Sequence, residues 1–290
     1  MIAALESEIP VPTSFLCKHF ATSRSGYYQW KNRGKALMFV KKEAVCKAIR
    51  KAFLDSDGTY GSPRIYDELM GLGMRVSENT IAKYMVEMGL DARLRKRFRV
   101  QTTDSKHQLP IAERLFKVED HQTLPTAPGQ VLTGDITYLK SGKKFIYLAV
   151  VMDIFTREIV GWSIDTSLQT RLILRALDGA IKTCGPDAEL IFHSDRGSQY
   201  ASEAYRKFCK SNSVIPSMSR RGNCYDNAYV ESWFSSLKKE RIYRNRYDSE
   251  AELRADVFAY KAAWYNTRRK HSALGYRSPR QFKNEFVAAQ

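Results

Sequence analysis

Three carboxylates, each set in a distinctive run of residues, are the side chains of this chain that could carry out chemistry together. Asp135 lies in the run TGDITY, Asp195 in HSDRG and Glu231 in NAYVES, and 35 residues separate the second acid from the third. Three acids that converge in space can hold two divalent cations, which is the arrangement used for phosphodiester chemistry. Because the chain also carries a net charge of +16, the triad predicts an enzyme that cuts and joins DNA.

The segments around these acids predict an α/β domain that would position them. Strands rich in Val, Ile, Phe and Tyr are predicted over 131–139, 145–152 and 158–164. A periodic segment, 168–182, predicts a helix, and a short apolar run, 190–194, predicts a buried strand that ends at Asp195. Glu231 lies in a later periodic segment, 227–243. This order of elements is typical of a ribonuclease-H-like fold, in which helices flank a mixed five-stranded sheet.

The predicted helix around Glu231 places a second charged group near that acid. Lys238 follows Glu231 by two helical turns on the same stripe, so we expect its ammonium group to meet a phosphate near the reacting bond. Trp233 and Leu237 fall on another face and are predicted to anchor the helix to the core. Asp153, which follows the second predicted strand, is interpreted as structural.

Basic residues are clustered along the chain, which indicates a polyanionic partner. The chain has 47 Lys and Arg residues against 31 acidic ones. Contacts with DNA are predicted for one group of five, for a pair before the Glu231 helix and for a pair within it: Arg93, Arg95, Lys96, Arg97 and Arg99; Arg220 and Arg221; Lys238 and Lys239. A last basic group, 268–271, is equally consistent with a solvated charged face.

The front of the chain predicts short helices of the kind that bind DNA. Ser62 can cap a helix that has Pro63 in its first turn, and Ser77 can cap a second helix that ends near Gly89. Two short helices joined by a glycine-containing turn form a helix-turn-helix candidate, with 77–88 as its recognition helix. An ordinary helical hairpin that packs on the core is the alternative.

The five cysteines are scattered and include no Cys-x-x-Cys pair, so the sequence predicts no structural zinc site. Reduced thiols indicate the cytoplasm. No apolar run approaches the length of about 18 residues that a membrane-spanning helix needs, and the N-terminus lacks the pattern of a signal peptide. We therefore expect a cytoplasmic protein without a membrane-spanning segment.

Several long motifs, in order and spread over nearly the whole chain, resemble those of one family. They are TGDITY, HSDRGSQY, the stretch GNCYDNA through Glu231, Lys238 seven residues later, and WYN, HSALGY and SP near the C-terminus. The chain resembles the transposase encoded by the second open reading frame of the insertion-sequence-three family, a relative of retroviral integrases.

The resemblance implies a reaction, a metal and partners. Donor cleavage would free a 3′-hydroxyl, which strand transfer would join to a new phosphodiester. Asp135, Asp195 and Glu231 would be the catalytic acids and would hold two Mg²⁺ ions, for which Mn²⁺ can substitute. The partners would be double-stranded DNA (element ends and target), further copies of the chain, and an upstream-frame protein with a helix-turn-helix and leucine zipper, made as a frameshifted fusion. Such a protein would work in the bacterial cytoplasm, on the nucleoid.

Four segments are predicted along the chain. They are a small helical N-terminal segment, a helix-turn-helix-like DNA-binding domain, a proline-containing linker, and an integrase catalytic core with a C-terminal helical extension: 1–38, 39–100, 101–126 and 127–290. In the first segment, the aromatic residues Tyr27, Tyr28 and Trp30 are expected to form a small core.

Two other functions stay open at this point. One is a non-catalytic helix-turn-helix DNA-binding regulator with a decayed catalytic domain, against which the intact acids argue. The other is a ribonuclease-H-like nuclease that cuts without joining. An assay for joined products separates a nuclease from a transposase, because a nuclease yields only nicks.

Overall fold

The computed structural model describes residues 2, 5–6, 11–32, 37–92, 109–141, 144–185, 190–220 and 227–290. The chain forms two compact units, residues 1–92 and residues 93–290. The finer division into four segments stays a prediction. Within the described ranges, no helix has both the length and the apolar composition that crossing a membrane requires.

Helices make up the ordered secondary structure described in the first unit. In chain order they are α1 (Thr13–His19), α2 (Arg24–Asn32), α3 (Leu37–Asp55), α4 (Ser62–Gly71) and α5 (Glu78–Glu87). One face of α4 and one face of α5 are buried, through Ile65, Leu69, Ile81 and Met85. Burial of these apolar faces holds the two short helices together, since helices of ten residues are marginal alone.

Local signals set the turn between α4 and α5. The side chain of Ser77 accepts a hydrogen bond from the Thr80 backbone N–H at 3.2 Å, so the predicted cap of α5 is confirmed. The predicted cap of α4 is wrong by one residue, because Gly61 occupies the cap position and Ser62 begins the helix. Gly73 takes a φ of +75°, which reverses the chain between the helices.

The aromatic residues of α2 are not all core residues. Tyr27 is buried, and its hydroxyl donates to Glu6 at 2.7 Å. Tyr28 and Trp30 are 39% and 60% exposed, so their predicted burial is wrong. Tyr28 is adjacent to Tyr27 and so points in a different direction, whereas the Trp30 ring stacks on that of Tyr27, with centroids 6.0 Å apart, at the outside of this small cluster.

The second unit is built on a mixed five-stranded sheet, as predicted. Its strands are β1 (Val131–Ser141), β2 (Lys144–Asp153), β3 (Ile159–Asp165), β4 (Leu190–Ser194) and β5 (Val214–Met218). Their spatial order is β3-β2-β1-β4-β5. The first three strands form an antiparallel meander, whereas β4 runs parallel to both β1 and β5. Neighbouring acids can therefore be carried on the parallel pair β1 and β4.

Helices flank this sheet and extend beyond it. They are α6 (Thr170–Cys184), α7 (Glu203–Ser211), α8 (Ala228–Leu237), α9 (Glu250–Ala259) and α10 (Pro279–Ala288). Two of them continue as short π-helices: Lys238–Ile242 follows α8, and Tyr260–Tyr265 follows α9. π-Helices are rare and are frequently found at functional sites.

Alternation along the strands divides the core between the two faces of the sheet. Ala149 and Val151 of β2 pack toward α6 and α7. Leu148 and Val150 pack on the other face, against Trp233 and other apolar residues of α8. The predicted anchoring role of Trp233 and Leu237 is confirmed by their burial in this second cluster.

Gly134, the glycine of the run TGDITY, is required by packing. A methyl group at this position would lie 2.4 Å from the ring of Phe192, far inside van der Waals contact. The absence of a side chain lets β4 approach β1 closely at the residue before Asp135. The glycine of this motif is therefore explained by close packing between β1 and β4.

Part of the segment predicted as a linker packs on the sheet. The hydroxyl of Ser217 in β5 accepts backbone hydrogen bonds from Leu115 at 2.9 Å and from Phe116 at 3.3 Å. The ring of Phe116 is fully buried, in a cluster with Val131. These contacts attach the residues around 115 to the outer side of β5.

Candidate catalytic site

The register of two parallel strands brings Asp135 and Asp195 together. Thr133 of β1 pairs with His193 of β4, and each aspartate follows this pair by two residues. Neighbouring strands lie about 4.8 Å apart, and residues two apart point to the same face. Both aspartates line one narrow cleft, together with Tyr147. The first two acids of the predicted triad thus share a site.

Two hydrogen bonds fix the helical segment that carries Glu231 along β1. The Thr133 hydroxyl donates to the Asn227 side-chain oxygen at 2.7 Å, at the start of α8. The Lys238 ammonium donates to the Thr137 hydroxyl at 2.6 Å, just after α8 ends. Thr133 and Thr137 are four residues apart, so their side chains lie on the same face of β1. The helix therefore lies lengthwise over that face.

This alignment sets Glu231 beside Asp135. Glu231 comes four residues after Asn227, which is about 6 Å along a helix. Asp135 comes two residues after Thr133, which is about 7 Å along a strand. Starting from the bonded pair of Asn227 and Thr133, the two acids therefore reach a similar level along β1, and the charge of Glu231 acts on Asp135.

The surroundings of Asp135 are unfavourable to its charge. Burial raises the pKa of Asp135 well above its usual range, and the nearby charges of Asp195 and Glu231 raise this pKa further. A hydrogen bond from the Ile136 backbone N–H and the positive charge of Lys238 oppose the rise. The net upward direction means that burial and the two neighbouring acids together outweigh the stabilisation that Ile136 and Lys238 give to the charged carboxylate.

The three carboxylates are ligands that suit a hard divalent cation. In the described residues, however, they are not arranged as a complete metal site. Among those residues, no three His, Cys, Asp or Glu side chains are grouped closely enough to hold an ion. Asp135 and Asp195 each turn one oxygen to a backbone N–H, that of Ile136 at 2.7 Å and that of Gly197 at 2.9 Å. Carboxylates that repel one another are expected to close up when a cation binds, and carboxylate oxygens suit Mg²⁺ and Mn²⁺.

Lys238 lies at this site, as an extension of the same helix. Its ammonium is bonded to Thr137 and stands 4.9 Å from the centre of the Tyr138 ring. Burial lowers the pKa of Lys238, and the Asp135 carboxylate acts in the opposite direction. The site thus contains a partly buried cation within electrostatic reach of the acid cluster.

The other predicted DNA contacts are placed in part. Lys239 is half-buried in the π-helix after α8, and Arg220 is exposed just after β5. Arg221 lies outside the described residues, as do the five basic residues Arg93, Arg95, Lys96, Arg97 and Arg99. All of these contacts stay predictions.

Two further charged residues have structural surroundings. Asp153 is buried and accepts hydrogen bonds from the backbone N–H groups of Gly129 and Thr156, which ties two turns together. Arg269, from the C-terminal basic group, is 6% exposed and forms a bidentate pair with Glu240, with an Nη2–Oε1 distance of 2.6 Å. A solvated face is therefore the wrong interpretation for Arg269, because an acid 29 residues earlier neutralises it.

Some residues of the site gave no separate signal in the sequence. Thr133, Thr137 and Asn227 fix the helix over β1 and lie inside motifs that were noticed for their acids. Tyr200 lines the cleft beside both aspartates, and burial raises its pKa, with the charges of Asp135 and Asp195 adding to the effect. The available sign in the sequence was that each of these residues lies within a few positions of one of the acids.

Family models match both parts of the chain. A model described as integrase core domain matches residues 125–224, and a second one of the same description matches 212–279. A model described as HTH-like domain matches residues 41–98. The first two cover all five strands and the three acids, and the third covers α4 and α5.

Relatives of similar length decide the family. Insertion element IS600 uncharacterized 31 kDa protein of Shigella sonnei is 36% identical over 272 residues, which is 93% of this chain and 98% of that protein. Transposase InsF for insertion sequence IS3A of Escherichia coli (strain K12) is 35% identical over 275 residues, 94% of each. The chain belongs to the IS3 family of transposases. The resemblance predicted from the motifs is confirmed, and the HTH-like domain of this transposase supports DNA binding by its first unit.

Solved structures similar to the IS3-family transposase come from retroviral integrases. A chain of the simian T-cell lymphotropic virus intasome, in complex with PP2A regulatory subunit B56 gamma, has a TM-score of 0.46 at 16% identity, covering 80% of this chain and 73% of that one. The HTLV-2 integrase catalytic core domain in complex with magnesium has a TM-score of 0.43 at 17% identity, covering 55% and 99%.

Proposed function

We propose that this transposase cleaves the ends of its insertion sequence and joins the freed 3′-hydroxyl to a new phosphodiester, with Asp135, Asp195 and Glu231 as its catalytic acids. The observation that supports the proposal is the placement of their elements: Asp135 lies on β1, Asp195 directly follows the parallel strand β4, and Glu231 lies on the helix bonded to β1 on either side of Asp135. The raised pKa of Asp135 supports a cluster built to take up positive charge.

The three carboxylates would hold two Mg²⁺ ions, for which Mn²⁺ can substitute. When bound, such ions lower the pKa of the attacking group and stabilise the leaving oxygen of an in-line displacement at phosphorus. Asp135 is buried and lies near the charges of both other acids, so a bound cation would relieve the unfavourable charge at this carboxylate. The protein supplies alignment, because the hydrogen bonds at Thr133 and Thr137 hold the helix in register with β1.

Lys238 would orient the DNA strand at this cluster. Its ammonium is bonded to Thr137 of β1, two residues after Asp135. Among the described residues, β4 does not pair with β1 at this position. A cation held there can contact a backbone phosphate while the neighbouring phosphate reacts. Orientation of this kind contributes to catalysis without any covalent protein intermediate.

Removing the Lys238 ammonium should slow the reaction without unfolding the protein. In Lys238→Met, we expect the rate of end joining to fall by about 10- to 100-fold, a size typical of lost orientation at a reacting centre. Lys238→Arg should retain more activity because it keeps the charge. The measurement is the rate of joined-product formation on supercoiled donor DNA, and Lys207→Met, on an exposed ion pair of α7, is the control. Wild-type rates for Lys238→Met would contradict the proposed role.

The decisive test of the function is the formation of joined element ends. A plasmid carries the gene between its native flanking DNA, and the junction is amplified outward across the joined ends, with the upstream frame supplied. We expect a junction from the wild type and none from Glu231→Gln. Glu203→Gln, an exposed acid of α7 paired with Lys207, is the matched control and should give a junction.

Each other outcome of that test points to one of the alternatives. Nicks at the element ends without junctions would indicate a ribonuclease-H-like nuclease. Junctions from Glu231→Gln at the wild-type level would remove Glu231 from the catalytic site. DNA binding with neither nicks nor junctions, even from the wild type, would indicate a non-catalytic regulator.

The partners belong to the same proposal. We infer that the transposase acts as a homo-multimer on double-stranded DNA, since one assembly must hold two element ends and a target. The upstream-frame protein, as a frameshifted fusion, would add end-specific DNA binding. Junction yield with and without the upstream frame measures this contribution, and equal yields would show that the chain works alone.

A further inference from the structure

At the end of the hairpin where β1 stops at Ser141 and β2 begins at Lys144, an exposed aromatic ring packs against a half-buried one. The side chain of Phe145 is 54% exposed. Its ring stands edge-on to that of Tyr138, with centroids 5.3 Å apart and an interplanar angle of 83°. Tyr138 and Phe145 lie on one face of the hairpin, two residues out of register, since Tyr138 pairs with Tyr147 and Phe145 with Lys140. This pair is called the hairpin platform below.

Cations surround the hairpin platform. Lys140 and Lys144 are exposed on the same hairpin. Lys238 approaches from the side of the helix and stands 4.9 Å from the centre of the Tyr138 ring. Exposed rings interleaved with cations are typical of surfaces that bind unpaired nucleic acid, where the rings stack on bases and the cations contact the backbone.

The hairpin platform adjoins the cleft of the candidate catalytic site. Tyr138 and Asp135 point to opposite faces of β1, and Tyr147, which pairs with Tyr138, lines the same cleft as Asp135. Tyr138 follows Asp135 by three residues of the same strand, which is about 10 Å. That length corresponds to roughly three steps of 3.4 Å along a DNA strand. Among the described residues, β4 pairs with β1 only as far as Thr133, so β4 does not occupy the edge of β1 from Asp135 to Tyr138. Lys238 touches this edge at Thr137, between the acid and the platform.

We propose that the hairpin platform stacks on a base that has left its duplex, within about three nucleotides of the phosphate that reacts at Asp135. The distance to the reacting phosphate rests on the proposed function. The stacking itself rests on the exposed Phe145 ring, the half-buried Tyr138 ring beside it and their cations. An aromatic face can stack on a base only where that base is unpaired or at an end.

The chemistry of the rings sets the specificity of this contact. Phe145 offers no hydrogen-bonding group to a base edge, and Tyr138 offers a single hydroxyl. Every base has a π-face, so stacking tolerates all four bases. The platform would therefore recognise an unpaired base by its exposed face, while its sequence would be read elsewhere.

The test compares two DNA probes on full-length protein in the absence of divalent metal, in a Glu231→Gln background. One probe is a duplex with a short single-stranded overhang of mixed sequence that contains 2-aminopurine, and the other is the blunt duplex. We expect tighter binding of the overhang probe and a fall in 2-aminopurine fluorescence as the base stacks. Phe145→Leu should weaken binding of the overhang probe by about 10-fold, the size typical of one stacked base, and leave the blunt probe unchanged.

A matched control is available on helix α9, beside another strand of the sheet. Phe258 in α9 is 52% exposed, has the Lys261 ammonium 5.5 Å from its ring centre and stacks near Trp162 of β3. Because β3 is two strands away from β1, Phe258→Leu should change neither probe. Phe145→Trp keeps an aromatic face, so it should retain the preference for the overhang, and its indole emission should fall on binding.

Two results would overturn the proposal. One is equal binding of both probes by the wild type. The other is an equal loss on both probes in Phe145→Leu together with a lower melting temperature, which would make the ring pair a structural contact of the hairpin. Since neither probe needs to be cut, an overhang preference can be measured even if Glu231→Gln still gives junctions, so failure of the proposed function is distinguished from failure of the platform.

Discussion

Replacing Asp135 by asparagine is expected to stabilise the metal-free transposase and at the same time to abolish cleavage and joining. The two effects have opposite signs because one carboxylate has two roles. Its charge is unfavourable in the metal-free fold, where Asp195 and Glu231 repel it. The same charge is what would bind the cations that the reaction uses.

The sign of the stability change follows from the raised pKa of Asp135. A carboxyl whose folded-state pKa lies above its ordinary value of 3.8 favours folding when protonated, and this contribution is lost as the pH rises through the folded-state pKa. At neutral pH, Asp135→Asn should therefore unfold at a higher temperature than the wild type. A gain on the order of 1 kcal/mol corresponds to about 2–4 °C for a domain of this size. The advantage should shrink as the pH is lowered toward about 4.

The loss of activity should be much larger than the gain in stability. Losing a metal ligand removes several kcal/mol of transition-state stabilisation. Each 1.36 kcal/mol is a factor of ten in rate, so we expect joining to fall by about 10³-fold or more. The measurement is the rate of strand joining on a precleaved donor, which separates joining from cleavage.

Metal titration connects the two effects. Mg²⁺ or Mn²⁺ should raise the melting temperature of the wild type, because a ligand that binds the folded state alone stabilises it. Asp135→Asn should show little of this rise. Asp178→Asn, on an exposed pair with Lys182 in α6, should behave like the wild type in all three measurements. If metal stabilised Asp135→Asn as much as the wild type, Asp135 would not be a ligand.

The meander and the first parallel strand of the sheet could be predicted because their signals are local. β-Branched and aromatic runs mark β1, β2, β3 and β4, and short connections favour antiparallel neighbours. β5 was missed because Pro216 interrupts its five residues, and proline argues against a strand in the middle of a sheet. β5 lies at the end of the strand order, beside β4 alone, where a missing N–H is tolerated. Its position at the edge depends on tertiary structure.

The candidate site likewise has residues that the sequence predicts and contacts that it does not. The acids could be predicted because each lies in an unusual run of residues, and Lys238 because it repeats at helical spacing after Glu231. The contacts that align them join residues about a hundred positions apart, such as Thr137 with Lys238. No periodicity in one sequence reports such a pair. The same limit hid the partner of Arg269, because local charge counting left its basic group equally consistent with DNA contact and with a solvated face.

Breaking the buried pair of Arg269 and Glu240 should be the most destabilising single change in the second unit. Both residues are almost fully buried, at 6% and 3% exposure, and the guanidinium contacts both carboxylate oxygens. Tyr260 donates a third bond to Glu240 at 2.8 Å. Removing one member leaves the other charged and unpaired in the core, which costs about 3–5 kcal/mol. We expect that loss in both Arg269→Met and Glu240→Leu, measured by denaturant unfolding.

The double variant Glu240→Leu/Arg269→Met separates stability from function. Replacing a buried ion pair by apolar residues of similar volume is often neutral or stabilising, so its unfolding free energy should return close to that of the wild type. If the double variant lost as much unfolding free energy as the two single variants together, the two residues would not be a coupled pair. Arg254→Met, on an exposed ion pair with Glu250, should cost about 0–1 kcal/mol.

The catalytic rate of that double variant then shows why a buried charge pair is present in this core. Glu240 belongs to the π-helix that begins at Lys238, and its partner Tyr260 begins the second π-helix. The pair therefore ties the widened turn that carries Lys238 to the C-terminal helices. If the pair sets the position of Lys238, the double variant should join DNA about 10-fold more slowly at wild-type stability, and Lys238→Met should add little to that loss. Full activity at full stability would mean that the pair acts on folding alone.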